Sequence, residues 1–182
     1  MRRHLSLDID DVVADFTRHF FVKNGRSKAQ ADVDYRRPRD YWYSWLLPQT
    51  QGSPEANFNR VFEGIKKNED FWLTIPVLDR HIPRDVAFYL TSRECPNELT
   101  EEWLRINDLP KLEVVNATLL KKKKWDIAKE RGVTGHIDDK DTTFLGCIEH
   151  GFVDSFLVSR PWNVDVQTPR RIYRLEELDW RI

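Results

Sequence analysis

Sulfur is scarce in this chain. Its only two cysteines, Cys95 and Cys147, lie far apart and form no metal-ligand spacing such as C-x-x-C. That argues against a thiolate metal site and for a reduced protein of the cytoplasm. No apolar run approaches the ~20 residues that a membrane-spanning helix needs, so no membrane association is expected. The first strand-like stretch starts within a few residues of Met1, which leaves no room for a secretory leader. Charge of one sign is lacking too: 29 Lys and Arg face 30 Asp and Glu, a net charge of −1. No global field therefore draws the chain to membranes or polymeric nucleic acid, and any electrostatic function must be local. Internal repeats and low-complexity tracts are missing as well.

What is present fits a soluble globular domain. With 182 residues, 40% hydrophobic and 32% charged, the chain can bury one proper core and carry a small insertion. Short apolar runs predict buried strands over residues 4–9, 86–91, 112–116, 135–138 and 152–158. Between them lie helical patterns. Residues 97–107 open on Asn97 as a candidate N-cap and place Leu99, Trp103 and Ile106 at helical spacing. Residues 122–131 carry Trp125, Ile127 and Ala128 and are followed by Gly132; residues 142–150 are followed by Gly151. Strands that alternate with helices imply right-handed βαβ units and a mainly parallel sheet, with ligands bound beyond the carboxyl ends of the strands. Asp8, Asp10, Thr91, Asp138 and Asp139 all fall at such ends, which points to one shared site.

Residues 17–83 break the alternation. They hold RRPRDYWYSWLLPQ, a polar GSPEAN patch and the helical NFNRVFEGIKKNEDFW. The stretch reads as a small, mostly helical insertion after the first strand. Its aromatics, among them Tyr35, Tyr41, Trp42, Tyr43, Trp45, Phe58, Phe62, Phe71 and Trp72, enlarge the core, and Tyr41, Trp42, Tyr43 and Trp45 are also candidates for stacking on a ligand ring.

The stretch LSLDIDDVVADF crowds Asp8, Asp10, Asp11 and Asp15 together. Carboxylates at i and i+2 of an extended strand share a face and can reach one ligand. Buried together, they require a compensating cation. All-oxygen ligation suits Mg²⁺, whereas the calcium-loop pattern fails because Val12, Val13 and a hydrophobic run stand where further ligands would be needed.

DIDDVVADF (residues 8–16) resembles motif I, DxDx[TV], of the haloacid dehalogenase (HAD) superfamily, and VVADF is similar to its deoxyribonucleotidase branch. YLTSR (89–93) resembles motif II. KKKKWDIAKERGV (121–133) resembles motif III, and HIDDKD (136–141) motif IV. FWLTIPVLD (71–79) and DSFLVSRPWN (154–163) also look like segments of nucleotidases in that branch. The likeness thus spans most of the chain.

It implies an α/β, Rossmann-like core (residues 1–16 and 84–182) with a mainly parallel sheet flanked by helices, and a small helical cap (17–83). It also implies a Mg²⁺-dependent phosphomonoester hydrolase that takes a small nucleotide substrate. By resemblance, Asp8 is the nucleophile and Asp10 the acid/base; Thr91, Ser92 and Lys124 bind phosphate; Asp8, Asp138 and the carbonyl of Asp10 hold the metal. Lys123 is the reserve for Lys124. Asp139 and Asp141 either ligate metal or serve as support and N-cap. Arg93 and Arg160 either reach phosphate or close ion pairs, and Asp15 either orients the turn or meets a basic partner. Asp11 departs from the branch, which has Gly there.

Three readings stay open beside a nucleotidase. The same chemistry could act on a sugar phosphate or another small phosphoester. The domain could bind nucleotide without turnover. A nuclease also gathers aspartates around Mg²⁺, but the basic stretches here are scattered.

Overall fold

A computed structural model describes residues 4–36 and 54–180, with side chains outside 54–59. Six strands form one sheet: β1 (Leu5–Leu7), β2 (Val86–Thr91), β3 (Glu113–Asn116), β4 (Gly135–Asp138), β5 (Phe156–Val158) and β6 (Arg171–Ile172). The order is β3-β2-β1-β4-β5-β6, and every pairing is parallel. This is the doubly wound order, with its topological switch between β1 and β4. The chain is α/β as the sequence predicts.

Alternation along the strands divides the core. Tyr89 of β2 and Val114 of β3 join Leu5, Leu7, Trp72, Trp103 and Leu104 in one apolar cluster. Phe88, Leu90 and Val115 point the other way and join Ile127, Ala128 and Cys147. Both faces are covered, as parallel strands require. The second face is closed by α7 (Lys124–Glu130) and α8 (Asp141–Glu149). These helices end where the glycines predict: Gly132 and Gly151 have φ of 67° and 86°.

Between β1 and β2 stand α1 (Phe16–Lys23), α2 (Lys28–Tyr35), α3 (Pro54–Lys66) and α4 (Glu69–Leu73). Their aromatics interlock with the first cluster: the Phe16 ring lies 6.0 Å from Trp72 in stacked geometry and 5.8 Å from Phe71 edge-on. The chain then returns beside the loop after β1, with Val77 bridged to Ala14 and Leu78 N donating to Val13 O at 2.7 Å. Tyr41, Trp42, Tyr43 and Trp45 lie outside the described residues.

Three local predictions are corrected. In α5 (Asn97–Ile106) the N-cap position is Pro96; the Asn97 side chain instead donates to Val114 O at 3.2 Å. Ile106 has helical spacing but is 53% exposed, because α5 buries Thr100, Trp103 and Leu104. Residues 152–155 are no part of β5. They form a turn in which Phe152 N caps Cys147 O and Ser155 N bonds Phe152 O. The short α6 (Ala117–Leu120), β6 and a 3-10 turn at Leu175–Asp179 were not predicted.

Candidate active site

Asp8 follows β1 directly, and its N–H donates to Ile137 O at 2.9 Å, extending the β1–β4 ladder by one residue. The chain then folds tightly. Ile9 O accepts from Val12, Val13 and Ala14, and Asp11 N donates back to Ala14 O at 2.7 Å. Asp11 takes the left-handed conformation, φ 56°, which Asp tolerates better than most residues. Its carboxyl has a second task, accepting from Thr17 N (3.0 Å) and Thr17 Oγ1 (2.6 Å) at the start of α1. Glycine could make the turn but not this cap. Burial pushes the Asp11 carboxyl up to about 7 despite those bonds. Asp15 pairs with Arg18 at 2.8 Å, so of its two readings the basic partner is the one observed.

At the centre, Lys124 Nζ lies 2.7 Å from Asp8 Oδ2 and 2.8 Å from Asp138 Oδ2. Lys124 opens α7, so its long stem brings the ammonium under the ends of β1 and β4, and it is 7% exposed. Of Lys123 and Lys124, only Lys124 reaches these carboxylates; the Lys123 Nζ lies 5.8 Å over the Trp125 ring. Burial, with Asp138 and Asp10 nearby, outweighs Lys124 and lifts the Asp8 carboxyl to about 7. Burial also works against charge on Asp138, but Lys124 and His136 outweigh it and hold that carboxyl well below the usual range. Lys124 follows the same logic, with desolvation overcome by Asp138 and Asp8, so it stays protonated above its ordinary pKa.

Beneath Asp138 runs a buried polar column that sequence reasoning missed. His136 Nε2 lies 2.9 Å from Asp138 Oδ2, and His136 Nδ1 lies 2.9 Å from Ser6 Oγ. Burial holds the imidazole below its ordinary pKa and hence neutral. A carboxylate can only accept, so Nε2 carries a proton towards Asp138, while Nδ1 lies against both Ser6 Oγ and, at 3.2 Å, Ser6 O. The sequence signal was the polar alternation of β1 and β4; in a sheet covered on both sides, those polar positions are buried.

Asp139 is the third carboxylate. Asp8, Asp138 and Asp139 are all buried and each offers an oxygen within 4.8 Å of the others. Burial, reinforced by Asp138, Asp11 and Asp8, raises the Asp139 carboxyl well above its ordinary value. Trp162 Nε1 donates to Asp139 Oδ2 at 2.9 Å, and Asn163 Nδ2 donates to Asp139 O at 2.7 Å. These two residues come from the RPWN turn after β5, whose resemblance was noticed without a role for either. Among the described residues, Arg160 of that turn donates to Asp11 O and Ser159 O and not to a carboxylate. The N-cap role considered for Asp139 and Asp141 does not hold. Lys140 is the N-cap position of α8, Asp138 Oδ1 accepts its N–H at 2.7 Å, and Asp141 Oδ1 accepts from Thr142 N.

Asp10 points elsewhere. Arg93 Nε and Nη2 donate to Asp10 Oδ1 at 2.9 and 2.7 Å, so of the two readings for Arg93 the ion pair is the one observed. The Asp10 carboxylate is no member of the three-carboxylate cluster, consistent with the resemblance, which gives only its carbonyl to the metal. Thr91 ends β2 fully buried, and its Oγ1 accepts from Arg93 N at 3.3 Å. Ser92 lines a cleft of about 590 Å³ together with Thr118, Lys121, Lys124, Lys140 and Thr143.

No family model matches the sequence, and no curated protein matches it. Solved structures do. A haloacid dehalogenase from Xanthobacter autotrophicus with covalently bound chloropropionic acid is 9% identical, with a TM-score of 0.57 over 98% of this chain and 97% of that one. A HAD-superfamily hydrolase of subfamily IA from Geobacter sulfurreducens is 11% identical, with a TM-score of 0.56 over 100% of both chains. A HAD phosphatase from Thermococcus onnurineus is 16% identical, with a TM-score of 0.54 over 98% and 97%. With its six parallel strands and the insertion after the first of them, this chain has the fold of the haloacid dehalogenase superfamily.

Proposed function

We propose that the chain is a Mg²⁺-dependent phosphomonoester hydrolase acting through an aspartyl-phosphate on Asp8, and that its substrates are nucleoside monophosphates, deoxyribonucleotides among them. One observation carries the chemistry: Asp8 stands at the sheet's switch point, joined by Lys124 to Asp138 and adjoining Asp139. Three buried carboxylates against one ammonium leave two negative charges when all are ionised; burial first, and this crowding second, raise the Asp8 and Asp139 carboxyls. A hard divalent cation held by oxygen ligands fits this donor set. Asp8, Asp138 and the Asp10 carbonyl would hold Mg²⁺, with Asp139 as a further carboxylate, and the ion would offset charge between an anionic nucleophile and an anionic phosphate.

The chain's own residues supply the rest. An Asp8 carboxylate oxygen attacks phosphorus and displaces the alcohol; water then hydrolyses the acyl phosphate. Lys124, fixed by two carboxylates, stabilises charge that gathers on the phosphoryl oxygens. Thr91 and Ser92 present hydroxyls at the end of β2. Asp10 gives its proton to the leaving oxygen and later takes one from water. In this reading residues 1–16 and 84–182 are the catalytic core and 17–83 a cap over the leaving group. The base preference is supported by VVADF and by the Tyr35–Trp162 ring pair, 5.5 Å apart beside Asp139.

The test is a phosphatase screen over nucleotides and sugar phosphates with and without Mg²⁺. Wild type should release phosphate from dUMP and dTMP, and Asp8→Asn should release none from any substrate. Equal turnover of simple sugar phosphates would overturn the nucleotide assignment, and an active Asp8→Asn the mechanism. The dehalogenases of this fold motivate a second arm, halide release from 2-chloropropionate. None is expected on the phosphatase reading, and halide release without phosphate release would favour the dehalogenase chemistry instead.

A further inference from the structure

Proton transfer falls to Asp10 in the hydrolase reading, yet a carboxylate on a surface loop is useful only if one oxygen is aimed. Arg93 supplies the aim. Its Nε and Nη2 both converge on Oδ1, at 2.9 and 2.7 Å, and no described residue bonds Oδ2. The guanidinium is immobilised. Its side chain is fully buried, and it lies 4.9 Å over the Trp103 ring and 5.6 Å over Trp72. Its backbone is pinned as well, with Asn116 Nδ2 donating to Arg93 O at 2.7 Å and Arg93 N donating to Thr91 Oγ1. Trp103 is held in turn by its Nε1 bond to Ile75 O at 2.8 Å.

The arrangement is costly as packing. Arg93 Nη1 is buried and has no hydrogen-bond partner among the described residues, and an orphaned buried donor destabilises. An apolar side chain of similar length would fill the same slot without that penalty. The charge and the fork geometry therefore serve Asp10.

We propose that Arg93 is a positioning residue for Asp10, saturating Oδ1 so that Oδ2 alone handles the proton. This rests on the phosphomonoesterase reading. In the first step an Asp8 oxygen bonds to phosphorus as the ester P–O bond breaks, and the Oδ2 proton goes to the leaving oxygen to give the alcohol. In the second, Oδ2 takes a proton from water as its oxygen bonds to phosphorus, freeing phosphate and the Asp8 carboxylate.

Leaving groups separate this role from a structural one. The alkoxide leaving a nucleoside monophosphate needs the proton, whereas 4-nitrophenolate does not. In single-turnover measurements, Arg93→Gln should slow dTMP cleavage by about 100-fold or more, the scale of general acid catalysis. The same variant should slow 4-nitrophenyl phosphate cleavage by less than about tenfold on that scale. Because the second step needs the same oxygen, the variant should also show a burst of one nitrophenolate per site that wild type lacks. Asp10→Asn should behave alike. Arg93→Lys, which keeps the charge and the burial but offers one contact instead of two, should fall between and covers the case in which Arg93→Gln does not fold. Equal losses on both substrates, or no loss in Arg93→Lys and Arg93→Gln, would overturn the proposal. Wild type inactive on both substrates would instead overturn the hydrolase reading itself.

Discussion

Replacing Lys124 by methionine removes the single ammonium that separates Asp8 from Asp138 and keeps the stem's volume. In an effective dielectric of about 20, a unit pair near 4 Å is worth ~4 kcal/mol, so two contacts give roughly 8 gross. Desolvating the buried ammonium cancels several of these, and breaking one side of a buried pair costs ~3–5 kcal/mol net. In a chain of this size that loss corresponds to roughly 10 °C in Tm. The deficit must depend on pH. Asp138, held below its ordinary pKa by Lys124 and His136, contributes stability that is present above the unfolded carboxylate range. In the variant both carboxyls move up, and a carboxyl with a raised folded pKa loses its contribution as pH rises. The deficit should therefore already be substantial at pH 5, where the Asp138 contribution is present in wild type, and grow further towards pH 8 as the raised carboxyls of the variant ionise. Urea denaturation in chelator at pH 5, 6.5 and 8 measures it. A loss under about 1 kcal/mol, or one that is the same at all three pH values, would refute the electrostatic account, since buried pairs cost more than that when broken.

Two further outcomes follow from local geometry. A Cβ on Gly135 would lie 2.3 Å from the backbone C and O of Asp154, so Gly135→Ala must part β4 from β5 and should cost about 3 kcal/mol. At Gly132 nothing lies within 4 Å and only the φ of +67° opposes a side chain, so Gly132→Ala should cost ~1–2 kcal/mol. If urea midpoints rank the two the other way, the close approach is wrong. Asp11→Asn keeps an acceptor for Thr17 N and a residue tolerant of φ 56°. The Asp11 carboxyl is raised to about 7, so its contribution holds below the unfolded range and fades as pH rises through 7. The variant's Tm relative to wild type should therefore climb between pH 5 and 8, and a constant difference would exclude a buried, ionising Asp11.

Legibility followed the range of the interaction. β2 and β4 were predicted to the residue because each is a short apolar run closed by its own polar end. β6 has two residues and no apolar run; it exists because Arg171 and Ile172 pair with Leu157 and Val158. In the site, Asp8, Lys124 and Asp138 were legible since each sits at a strand end or helix start that the local pattern marks. Arg93 against Asp10, Trp162 against Asp139 and Ser6 against His136 bring together residues distant in sequence, and each pairing depends on tertiary packing. Asp11 was legible as a departure, but its use as a cap for Thr17 was not, because the turn that turns its carboxyl toward α1 is itself made by Ile9 O.

The crowding of aspartates has its explanation in the strand order. Neighbouring parallel strands lie about 4.8 Å apart, so with Leu7 paired to Ile137 the next residues of the two chains, Asp8 after β1 and Asp138 at the end of β4, must stand side by side. At the switch point helices depart to opposite faces, which leaves a crevice above those two residues. α7 leads into β4 from the side of β3, and its first residue is Lys124, so the crossover that orders the sheet also delivers the cation between the carboxylates. One ammonium cannot balance three buried carboxylates. That shortfall, set by topology, is the feature on which the proposed divalent ion and phosphate rest, and a stable but inert ion-pair network would lack it.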